Sequence, residues 1–129
     1  LLGTGPWSPV TSPYETRDPR QNDPSVDEDT YAAYMARYLL LALASGHVQR
    51  VYWWRLAARG FGLIDDTDPA AWRPRPAFFA LQTLLGKLDG ATFTQKLETS
   101  PGEFALEFSK SGAPPLTARW TLTTAPVWT

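Results

Sequence analysis

Hydrophobic positions change their period three times along this chain. Tyr31, Tyr34, Met35, Tyr38, Leu39 and Ala42 recur at the spacing of one helix face. Ser25–Glu28 fits a capping box, and Asp27, Glu28 and Asp29 suit the positive end of a helix dipole. The pattern predicts a helix over 27–45, with Gly46 as its C′ residue and the tyrosine stripe in the core. The next apolar run, 50–56 (RVYWWRL), has no polar alternation. β-Branched and aromatic residues in such a run suit a strand covered on both faces, as in a parallel sheet. Helical spacing returns with Phe78, Leu81, Leu84, Leu85 and Leu88. It predicts a second helix over 75–88, with Pro76 in the first turn and Gly90 just beyond the end.

After Gly90 the period falls to two. Ala91–Leu97, Phe104–Phe108 and Leu116–Leu122 alternate like half-buried strands, separated by Pro101-Gly102 and by Gly112–Pro115. They read as an antiparallel meander. Residues 1–24, rich in Gly, Pro, Ser and Asp, form a long loop of the kind that is functional or disordered. A lone parallel-type strand between two helices cannot make a sheet. Either another segment or chain completes it, or the sequence, which opens Leu-Leu-Gly, is part of something longer.

Composition narrows the chemistry. The chain has 129 residues and net charge −1, which argues against nucleic acid and against an anionic membrane surface as partners. It has no Cys and a single His47, so disulfides, thiolate chemistry and a multi-His metal site are excluded within it, and the compartment is left open. No apolar run is long enough to span a bilayer. No cofactor is implied.

The two adjacent Trp at the carboxyl end of the 50–56 run lie where parallel α/β folds place their ligands. An indole there is a platform for the apolar face of a sugar ring. Three segments, GTGPWSP (3–9), YWWR (52–55) and RPAFFAL (75–81), occur in an order that resembles the C-terminal portion of clan A glycoside hydrolases. The nearest resemblance is to the bacterial family 39-like glycosyl hydrolases, and it covers roughly residues 1–93. It implies an α/β fold: the C-terminal part of a (β/α)8 barrel over 1–90, comprising helix seven, strand eight and helix eight. A small antiparallel β domain, or part of one, would follow over 91–129. It also implies a retaining hydrolase of oligo- or polysaccharides with a catalytic Glu pair. Neither Glu maps onto this chain, so no catalytic residue is assigned here. The partners implied are a carbohydrate substrate and the remainder of the barrel.

By the same resemblance, Trp54 matches the strand-eight Trp beneath the sugar, with Trp53 second because neighbouring strand residues face opposite sides. The alternative for each is a core Trp. Arg55 would hydrogen-bond a sugar or catalytic carboxylate, or else pair with Asp65 or Asp66. Trp7 would form an outer subsite or anchor its own loop. Glu15 and Asp18 lie in a polar, Pro-rich loop with nothing evident to raise a pKa. Asp65, Asp66 and Asp68 lack the spacing of an EF-hand loop and read as a solvated turn, and His47 reads as a surface residue. A rival reading is a non-catalytic carbohydrate-binding or interaction module using Trp120 or Trp128 as platforms.

Overall fold

The computed structural model describes residues 3–4, 25–58 and 61–129. It is a mixed α/β structure of two helices and mostly antiparallel sheet, with no closed barrel among the described residues. Short strands β1 (Gly3–Thr4) and β2 (Ser25–Val26) pair in parallel ahead of helix α1 (Glu28–Ala44). The antiparallel pair β3 (Ile64–Asp65) and β4 (Arg73–Pro74) leads into helix α2 (Pro76–Leu88). Strands β5 (Ala91–Lys96), β6 (Glu103–Lys110), β7 (Leu116–Thr121) and β8 (Val127–Trp128) then form a four-stranded antiparallel sheet in chain order.

Both helices start and stop within a residue or two of the predicted bounds, because their signals are local. The cap of α1 differs in detail. Asp27 Oδ1 accepts from the Thr30 amide and Oδ2 from the Thr30 hydroxyl, each at 2.8 Å. The cap is therefore Asp27 with Thr30 rather than the Ser25–Glu28 box, and Glu28 turns to Arg73 instead. At the other end the Ser45 hydroxyl donates to the Ala42 carbonyl, and Gly46 takes the left-handed conformation, φ 73°.

The sheet has one apolar face. Phe104 pairs with Trp120, Leu106 with Ala118 and Phe108 with Leu116, all on that face. It closes over Met35, Leu39 and Leu40 of α1 and Leu84 of α2 in a single core. Trp120 is buried and stacks flat on Phe104, ring centroids 5.5 Å apart. It is a core residue and not the exposed platform that a binding-module reading needs. The tyrosine stripe divides as well. Tyr31 is buried, but Tyr34 and Tyr38 are exposed, because the buried arc of α1 is centred on Met35 and Leu39.

Residues 50–56 form no strand. The nearest ladder is a single parallel bridge between Ala57 and Ile64. A strand exists only by pairing; Arg55 and Leu56 each accept one amide from the 63–64 limb, and residues 50–54 have no backbone ladder among the described residues. The prediction of a strand there is corrected accordingly.

Loss of the Trp120 ring should leave a core cavity beside Phe104. Trp120→Ala is expected to cost about 3–5 kcal/mol, against about 1 kcal/mol for Asp27→Ala at the helix cap. Urea unfolding followed by circular dichroism measures both. A Trp120→Ala protein with an unchanged midpoint would contradict this packing.

Candidate aromatic site

The aromatic run keeps strand-like alternation without strand pairing. Val51 and Trp53 turn toward the core and are half-buried, while Tyr52 and Trp54 face outward, with Trp54 67 % exposed. Trp53 meets the edges of Tyr31 and Tyr38, each at a centroid distance of 6.0 Å. Its Nε1 donates to the Tyr31 hydroxyl at 3.3 Å, and that hydroxyl donates to the Phe61 carbonyl. One indole is thus anchored by packing and a two-bond relay. The next presents most of its surface to solvent. The Trp54–Arg55 peptide bond is cis.

Arg55 is exposed, and its Nε donates to the carbonyl of Ala57 at 2.7 Å. Neither Asp65 nor Asp66 pairs with it. Trp7, Glu15 and Asp18 lie outside the described residues. Trp128 is half-buried and, with Ala32, Ala36, Leu84 and Pro126, lines an apolar recess of about 150 Å³ between the two helices. His47 is exposed, as expected.

The arginines that do converge on carboxylates, Arg73 and Arg75, are ones the sequence did not single out for a role. Arg75, 3 % exposed, directs Nη1 at the Gly62 carbonyl (3.1 Å) and Nη2 at Asp65 Oδ2 (3.2 Å). Its Nε lies 3.2 Å from Glu28 Oε1 but is not aligned to donate to it. Arg73 forks onto both Glu28 oxygens at 2.9 and 2.7 Å and reaches Asp65 at 3.1 Å. One sequence signal could have found Arg75. A cation at the N-cap opposes the helix dipole, so it calls for a carboxylate partner nearby.

Asp65 is therefore more than a solvated turn residue. Burial alone would raise its pKa. The Thr67 hydroxyl and amide, followed by Arg75, outweigh burial and hold the carboxyl well below the usual range. Hydrogen bonding from Arg73, opposed by partial burial, also lowers Glu28. Two carboxylates held ionised, Asp65 chiefly by Thr67 and Glu28 by Arg73, are poor general acids at neutral pH. Among the described residues no group of three His, Asp or Glu side chains could hold a metal ion. No helix there is long and apolar enough to cross a membrane. What the described residues offer is an exposed apolar surface at Trp54.

No family model, curated protein or solved structure matches this chain.

The ion cluster has a pH signature. Asp65 and Glu28 have folded pKa values below their unfolded ones. Their contribution is complete above the unfolded carboxylate range and is lost as pH falls through the folded values. Thermal stability should hold level above about pH 5 and decline below it. Asp65→Asn should be less stable at pH 7 and show a shallower acid decline. An acid limb identical to wild type would remove Asp65 from this role.

Proposed function

We propose that the chain is the C-terminal portion of a retaining glycoside hydrolase of the (β/α)8 clan, and that it supplies the aromatic wall of the sugar site. The observation that carries this is the pairing of a solvent-facing Trp54 with an anchored Trp53. A sugar ring presents C–H groups on one face, and these pack on an exposed indole by area burial and by attraction to its π face. The resemblance in the YWWR and RPAFFAL segments supports the hydrolase assignment. The catalytic Glu pair would come from outside this sequence, and double displacement would proceed on those two carboxylates. Trp54 would hold the ring and favour the flattened, partly cationic transition state over the ground state.

Residues 50–56 would become barrel strand eight only once neighbouring strands supply their backbone partners. Their inside–outside alternation of side chains is compatible with that role. The binding-module reading loses support because Trp120 is in the core and Trp128 is half-buried.

Two substitutions in the intact enzyme separate these roles. Trp54→Ala should lower both kcat and sugar affinity, with kcat/KM falling roughly ten- to hundredfold, and should shift stability by less than about 1 kcal/mol. Trp53→Ala should cost roughly 3 kcal/mol of stability, because it removes a packed ring. Kinetics on an aryl glycoside and thermal melts measure both. The 129-residue chain alone should not turn over that substrate. If Trp54→Ala melts early with unchanged specific activity, the two faces are reversed.

A further inference from the structure

The exposed indole of Trp54 is useful only if its backbone is held still, and residues 50–54 have no ladder to hold them. The hydrogen bonds just beyond show what does. The Leu63 amide donates to the Arg55 carbonyl at 3.2 Å, and the Ile64 amide donates to the Leu56 carbonyl at 2.7 Å. The returning limb at 63–64 therefore grips the two residues that follow Trp54. Arg75 grips that limb in turn. Its amide donates to the Leu63 carbonyl at 2.9 Å, and its Nη1 donates to the Gly62 carbonyl at 3.1 Å and approaches the Ala58 carbonyl at 3.5 Å. The two limbs touch so closely at Gly62 that a Cβ there would lie 2.2 Å from the Ala58 nitrogen.

We propose that Arg75 is the positioning residue of the aromatic surface, clamping the returning limb that fixes Trp54 while Tyr31 anchors Trp53 from the other side. Arg75 suits the task because one planar guanidinium reaches main-chain carbonyls and Asp65 at once, which a lysine ammonium cannot do with the same geometry. Glu28 and Asp65 compensate its buried charge. Among the described residues Arg55 makes no comparable set of contacts: its side chain donates to the carbonyl two residues on. That the clamped surface receives a sugar rests on the function proposed above. That Arg75 holds it does not.

Amide hydrogen exchange on the 129-residue chain, resolved by residue, tests the clamp. In wild type the Leu63 and Ile64 amides should be protected. Arg75→Gln should raise their exchange about tenfold or more while the amides of β6 and β7 keep their protection. Arg73→Gln removes exposed ion pairs without touching the loop carbonyls, and should leave Leu63 and Ile64 unchanged. If Arg75→Gln does not fold, Arg75→Lys keeps the charge near Asp65 and should give a partial loss of protection at the same two amides. Unprotected Leu63 and Ile64 in wild type, or unchanged protection in a folded Arg75 variant, would overturn the proposal. Fluorescence titration with cellohexaose and with xylohexaose adds the second readout. Arg75→Gln should weaken whichever response wild type gives by about tenfold, with Arg73→Gln matching wild type. If wild type responds to neither sugar while loop protection still depends on Arg75, the clamp stands and the sugar reading falls.

Discussion

Burial of one arc of α1 is the interaction on which the rest of the structure depends. Met35 and Leu40 are fully enclosed, and Tyr31, Ala36 and Leu39 nearly so. No single neighbour covers them. Helix α2 supplies Ala77 and Leu84, and the sheet supplies Leu106, Phe108, Ala118 and Trp120. Neither the helix pair nor the sheet could bury its apolar face alone, so each depends on the other for a core. The small residues Ala32, Ala33 and Ala36 line, with Leu84, Pro126 and Trp128, the recess between α1, α2 and the C-terminal segment.

The polar cluster at the start of both helices works against a different cost. Placing Arg75 in a nearly closed site is expensive unless its charge is matched. Glu28 and Asp65 match it, and the Gly62 carbonyl takes one of its donors. This arrangement joins the first turn of α1, the β3–β4 pair and the N-terminus of α2 at one point. The same cluster keeps two carboxylates ionised, which removes them from acid–base chemistry while fixing the loop that carries Trp54. Structural support and the candidate binding surface thus meet in the same few residues.

The outward aromatic residues stand in contrast to this order. Tyr52, Trp54 and Leu56 are exposed by more than half, on a stretch that belongs to no sheet among the described residues. Apolar side chains so exposed suit contact with a ligand or with more protein. The proposed role of Trp54 accounts for one of them. Barrel neighbours on either side of the stretch would account for the others.

The sequence by itself determined what depends on near neighbours. Both helices and the three long strands of the meander are where periodicity, caps and turn glycines put them, because each signal acts within a few residues of its effect. Three matters were left to the tertiary structure. Whether 50–56 is a strand depends on a partner, and pairing is not a property of the run itself. Whether a Trp is platform or core depends on which face something covers: Trp120 and Trp54 both sit in runs that read as strands, yet one is 4 % and the other 67 % exposed. Which arginine matters depends on distance in space. Arg55 stands in the aromatic motif and, among the described residues, bonds its own loop, whereas Arg73 meets Glu28 across 45 residues and Arg75 meets it beside Asp65. Charges find partners through the fold, and no local pattern encodes a contact made across that separation.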